Sequence, residues 1–213
     1  MIVYYVFVGV TRYYIRGLAG FFDVFWLCQM SCLLAGVGAL LHQPKVITFT
    51  FGLISAPHGL WVLDLFLYFI IGRFPLGMSS YLIWDTTHRL ELLTTTHHIW
   101  FVPLCFTILY KNGRPTLSMI PYHMLGGFFL LIISGSLLPL SYDGHYLNVN
   151  IAHRCWPDIP AWLPSFNPPE WPWMAHVLYV AIAGGLLNAF LYLFIWGAYQ
   201  IYEPIQKPSK KQE

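Results

Sequence analysis

The chain has 213 residues, of which 57% are hydrophobic and 9% charged. Soluble domains carry about 25% charged residues, so this surface suits lipid rather than water and a separate soluble domain is excluded. The net charge of +2 excludes the strong phosphate electrostatics of nucleic-acid binding, and no nucleic-acid partner is expected.

A crossing takes about 20 apolar residues. The composition therefore predicts an all-α fold, a multi-pass transmembrane helix bundle of five spans within one integral membrane domain over residues 1–213. A sixth span is added if the N-terminal segment crosses. That segment, residues 1–17, reads as a short apolar or interfacial stretch; it lacks the basic start and small-residue cleavage site of a signal peptide. The first span is expected from about Leu18 to Leu41, ended by His42 and Pro44. The second runs from about Val46 to Ile71, with Pro57 expected to kink or halve it. After a polar turn at Gly72 to Pro75 comes an amphipathic stretch, Tyr81 to Leu93, and then a third span from about Leu92 to Tyr110.

The fourth span is expected from about Ser118 to Leu140. Residues 141–172 form a loop rich in Pro and Trp, in which Trp156, Trp162, Trp171 and Trp173 are expected at the membrane interface. The last span, about Trp173 to Tyr202, carries Ala181, Ala183, Gly184 and Gly185, small residues that permit close helix packing. Residues 203–213 form a basic tail, expected to be cytosolic because Lys210-Lys211 looks like a dilysine signal for return to the endoplasmic reticulum. Loop charge does not orient the chain. Arg12, Arg16, Arg73, Arg89 and Arg154 fall on one side, and Lys45, Lys111, Arg114, Lys207, Lys210 and Lys211 on the other.

Ionisable groups inside spans cost a few kcal/mol each and are functional candidates by default. Here they are Asp23, His58, Asp64, His97, His98, His123 and His176. His123 and His176, each close behind a proline and an aromatic residue, are expected at the water interface. Cys28 and Cys32, four apart on one helix, read as a packing face. The densest constellation surrounds His97 and His98. Thr94 lies one turn before His98, where its hydroxyl can bond that imidazole. Glu91 shares a second stripe with His88 and Thr95, and a carboxylate beside a histidine raises its basicity. Adjacent helical residues point about 100° apart, so one of the two histidines is expected to face a site. A single His-His without further clustered motifs matches neither a di-iron pattern nor a haem spacing, and no metal or cofactor is expected.

The run Leu53-Ile-Ser-Ala-Pro57-His-Gly59-Leu-Trp-Val62 is similar to the kinked Phe-Pro-x-Gly span of the androgen-induced and androgen-dependent membrane protein family. His98 with Pro103, the phenylalanine-rich run ending in Asp23 and the segment from Leu187 also resemble that family. A weaker resemblance is to the membrane domain shared by ceramide synthases. The first resemblance implies a multi-pass hydrolase of lipid esters with a threonine nucleophile and a histidine base inside the bundle. The histidine carries over to His98; the threonine position falls at Gly20, so Thr94, Ser55 or Cys28 would have to substitute.

The expected function is a lipid-ester hydrolase or acyl-transfer enzyme of the endoplasmic-reticulum membrane. His98 is the general base, with Thr94, Asp64, His58 and Glu91 as the other candidate catalytic residues. Its partners would be the bilayer, an acyl lipid substrate and a membrane protein. The rival expectation is a non-catalytic lipid- or sterol-binding protein, or a small subunit of a larger membrane complex.

Overall fold

The computed structural model describes residues 1–112, 115–154 and 172–206. The apolar runs form α1 (Ile2–Phe21), α2 (Leu27–Leu40), α3 (Pro44–Ile71), α5 (His97–Asn112), α6 (Ile120–Leu137) and α7 (Trp173–Gln206), with a short α4 (Arg89–Leu93) before α5. Among the described residues, four stretches are long and apolar enough to cross a membrane: Pro44–Ile71, Arg89–Lys111, Leu117–Leu137 and Trp173–Ile201. Ile2–Phe25 and Leu27–Leu40 are apolar enough only taken together, as a pair bent by 65° that is either a broken span or a re-entrant loop. The protein is an all-α multi-pass bundle. Its core joins Cys32 and Ala35 of α2, Phe51 and Ile54 of α3, Phe101 and Cys105 of α5, and Tyr192 of α7.

The N-terminal third departs from a single first span. Arg16 and Gly17 leave helical dihedrals, Gly17 at φ 57° and ψ −140°, a region open to glycine. The chain then doubles back along its own first arm. Gly36 lies against Ile2, the Tyr5 hydroxyl reaches Met30 Sδ at 3.7 Å, Gly9 lies against Val24 and Gly20 against Arg12. The falling partner numbers define an antiparallel hairpin, which returns Met1 toward the end of α2 that meets His42.

The returning arm is itself broken. Phe22–Phe25 tightens into a 3-10 turn and Trp26 is extended, at φ −57° and ψ 138°, before α2 starts. Backbone groups freed at membrane depth need new partners, and Asn150 supplies them. Its Oδ1 accepts the Leu27 N–H, while its Nδ2 donates to the Phe25 carbonyl at 3.0 Å and to Ser134 Oγ at 2.7 Å.

Pro57 neither splits nor ends α3, which runs unbroken for 28 residues. Neighbours absorb the disturbance: the Ala56 N–H donates to Asn188 Oδ1 of α7 at 3.1 Å, and the Ser55 hydroxyl donates to the Phe51 carbonyl. After α6 a hairpin pairs β1 (Ser141–Tyr142) with β2 (His145–Tyr146). Asp143 and Gly144 turn it at φ 49° and 75°, the left-handed pair favoured in two-residue hairpins. Leu147 and Val149 then pack against Ala19, Phe22 and Trp26.

His123 and His176 are both buried among protein atoms. His176 Nε2–H donates to the Ile151 carbonyl at 2.8 Å, tying the loop to α7. His123 fills the space opened by Gly52, where a Cβ would stand 3.0 Å from its ring. Trp173 donates to the Ala152 carbonyl at 3.0 Å. Trp156, Trp162, Trp171 and the tail from Lys207 lie outside the described residues.

Candidate functional site

Three elements bring one thiol and three imidazoles together midway through the bundle. Cys28 stands at the start of α2, placed there by the break at Trp26. His58 follows Pro57 on α3, and His97 and His98 open α5. The ring centroids lie 4.1 Å apart for His97 and His98, 4.6 Å for His58 and His98, and 5.3 Å for His58 and His97. Cys28, His97 and His98 each offer one donor atom, and the three atoms lie within 4.8 Å of one another.

Both adjacent histidines face the site, contrary to the expected divergence. The reason lies in the turn before them. The Nδ1–H of His97 donates to the Thr94 carbonyl at 3.1 Å and that of His98 to the Thr95 carbonyl at 2.8 Å. Each bond draws its ring back along the helix axis, so the two rings converge. These bonds fix the tautomers and leave Nε2 of each ring with its lone pair. Among the described residues, His97 Nε2 and both nitrogens of His58 are buried without a hydrogen-bond partner.

The walls are aromatic. Trp61 stacks on His98 with centroids 4.4 Å apart and planes 17° apart, and Phe101 lies under His58. The Tyr4 hydroxyl stands 3.1 Å from His97 Nδ1 and donates to the Leu93 carbonyl at 3.2 Å. Trp61 Nε1–H donates to the Tyr81 hydroxyl at 3.2 Å, which ties the segment between α3 and α4 to the site. Burial pushes the Tyr81 phenol above its usual pKa, because the charged form would lose its water.

The side chains of the other expected site residues do not reach the imidazoles. The Thr94 hydroxyl donates to the Glu91 carbonyl at 2.6 Å and accepts from Arg12 Nε at 2.8 Å; it does not bond His98. Asp64 turns to the following segment, where it accepts the N–H groups of Leu76 and Ser79 at 2.7 and 2.9 Å and the Ser79 hydroxyl at 3.0 Å. Glu91 joins a buried charge quartet. Arg12 Nη1 donates to Glu91 Oε2 at 2.8 Å and Asp23 Oδ2 at 3.2 Å, and Arg16 pairs with Asp23 and with Glu91 Oε1 at 3.2 Å. Two positive and two negative groups balance, which is how ionised side chains persist in a bundle. The quartet holds the histidine turn through the Arg12–Thr94 bond, and Gln29, beside Cys28, donates to the Thr94 carbonyl at 3.3 Å.

Gly20 has no room for a side chain. A Cβ there would lie 1.9 Å from the Arg12 carbonyl oxygen, so the backbone return excludes the threonine of the resembled family. No protein-family model, curated protein or solved structure matches the chain.

Proposed function

We propose that the protein is a membrane-embedded lipid-ester hydrolase or acyl-transfer enzyme in which Cys28 is the nucleophile and His98 the general base. The observation that carries this reading is the approach of the Cys28 thiol to His97 and His98, whose Nδ1 atoms are held on backbone carbonyls. A thiol beside an oriented imidazole is an activated nucleophile. The Cys28 proton passes to His98 Nε2 as sulfur attacks the ester carbonyl. The tetrahedral adduct collapses, the alcohol leaves with that proton, and a thioester remains on Cys28. Water or the hydroxyl of a second lipid then gives its proton to the same imidazole and releases the acyl group, restoring the thiol. His58 lines the same chamber, and Thr94 positions the histidine turn.

An apolar groove of about 580 Å³ between the two arms of the N-terminal hairpin supports a lipid substrate. Tyr5, Gly9 and Tyr13 line one side and Leu18, Phe21 and Val24 the other, and Val24 stands four residues before Cys28, across the break at Trp26. The groove also favours the rival reading, a protein that binds lipid without reacting. The resemblance stated above supports residence in the endoplasmic-reticulum or plasma membrane.

The test uses purified protein in lipid micelles with a fatty acyl ester. Turnover and a hydroxylamine-labile acyl adduct on Cys28, seen by mass spectrometry, are the expected results. Cys28→Ala and His98→Ala should each lower turnover at least about 100-fold while the protein still elutes as a single folded species. Undiminished turnover in Cys28→Ala would sink the mechanism. Saturable lipid binding with no turnover would leave the binding protein.

A further inference from the structure

We propose that Cys28, His97 and His98 also form a binding site for a thiophilic divalent cation of the Zn2+ class. One sulfur and two imidazole nitrogens are the donors such an ion prefers, and three protein donors leave a fourth position open. Zn–S and Zn–N bonds of roughly 2.3 and 2.1 Å set tetrahedral donors roughly 3.5 Å apart. The three donor atoms here lie within 4.8 Å of one another, so the widest pair has about 1.3 Å to close to reach that spacing.

Two further observations point to a ligand. The Nδ1–H groups of His97 and His98 donate to the Thr94 and Thr95 carbonyls, the outer-shell arrangement that orients metal-binding histidines through Nε2. His97 is 1% exposed, yet its Nε2 has no partner, and His58 beside it, also 1% exposed, has none on either nitrogen. A buried polar atom left unpaired is destabilising, and a cation on His97 Nε2 would remove that cost. The nearby carboxylates do not compete, because Asp23 and Glu91 are occupied by Arg12 and Arg16. On binding, the Cys28 S–H bond breaks, its proton goes to solvent and the sulfur electron pair forms the metal bond.

Binding stands independently of the acyl chemistry. Where that chemistry holds, an occupied site has no free nucleophile, so the ion acts as a reversible block.

The experiment titrates Co2+ into the chelator-treated full chain in detergent and follows the near-ultraviolet thiolate-to-metal band and the visible bands of tetrahedral cobalt. One equivalent should saturate both, and Zn2+ should erase them. Cys28→Ser should remove the near-ultraviolet band. His97→Ala and His98→Ala should weaken binding about tenfold or more, whereas Cys32→Ser and His123→Ala should match wild type. Elution volume and melting temperature establish that each variant is folded. No saturable band in the wild type, or an unchanged band in Cys28→Ser, would overturn the site. Turnover distinguishes the two proposals: cobalt binding without ester turnover retains the metal site and removes the enzyme, and turnover without cobalt binding does the reverse.

Discussion

Position 20 shows how one residue can be dictated by backbone rather than chemistry. The Arg12 carbonyl oxygen occupies the space of a side chain, 1.9 Å from where a Cβ would begin. No rotamer relieves a clash with backbone, so the hairpin would have to open. Gly20→Ala is expected to destabilise the protein by about 3 kcal/mol or more, seen as a lower melting temperature in detergent. A melting temperature equal to wild type would mean that the two arms are not apposed there. The histidines were legible in the sequence because an ionisable group in an apolar run is costly and therefore conspicuous. In the sequence Cys28 reads as a packing residue, because a thiol in an apolar run looks the same whether it fills a core, as Cys32 does, or meets an imidazole. Only the approach of α5 to the start of α2 separates the two cysteines.

Among the elements, long apolar runs reveal α3, α5, α6 and α7 without difficulty, since each must satisfy its own backbone in lipid. The break at Trp26 was not legible, because the group that makes it tolerable, Asn150, lies 123 residues beyond Leu27. Asn150→Leu removes the partners of the Leu27 N–H and the Phe25 carbonyl. At about 1–3 kcal/mol for a buried unpaired group, the expected loss is about 2–4 kcal/mol, with faster amide exchange at Leu27 as the diagnostic; exchange unchanged there would contradict the bond. Arg12 and Arg16 read as loop charges in sequence, although their spacing of four with Asp23 seven residues beyond Arg16 was the available signal. Breaking a buried charge network by removing one member costs about 3–5 kcal/mol. Glu91→Gln should show that loss in thermal unfolding and should lower turnover further than the unfolded fraction accounts for, because the quartet holds the Thr94 turn. A loss confined to stability would make the quartet purely structural.

For the molecule as a whole, the hairpin settles which ends lie together. Met1 lies beside Gly36, so it shares a face with His42 and, through the even number of apolar stretches from α3 to α7, with the end of α7. Arg12 and Arg16 are spent inside the bundle and leave the loop count. Three basic residues, Arg73, Arg89 and Arg154, then face six, Lys45, Lys111, Arg114, Lys207, Lys210 and Lys211. A cytosolic second set is what the positive-inside rule leads one to expect. A tag before Met1 and a thiol at Gln43→Cys should therefore both be accessible from the cytosolic face of sealed vesicles. Labelling from opposite faces would refute the hairpin.

The charge quartet also imposes an order in time. Arg12, Arg16 and Asp23 enter the membrane with one uncompensated positive charge, and Glu91 emerges from the ribosome 68 residues after Asp23. At about 5–20 residues per second, the nascent hairpin waits roughly 3–14 s for its last counterion. During that interval the N-terminal third lacks the carboxylate that completes its charge quartet, which arrives only with the turn that carries the histidines.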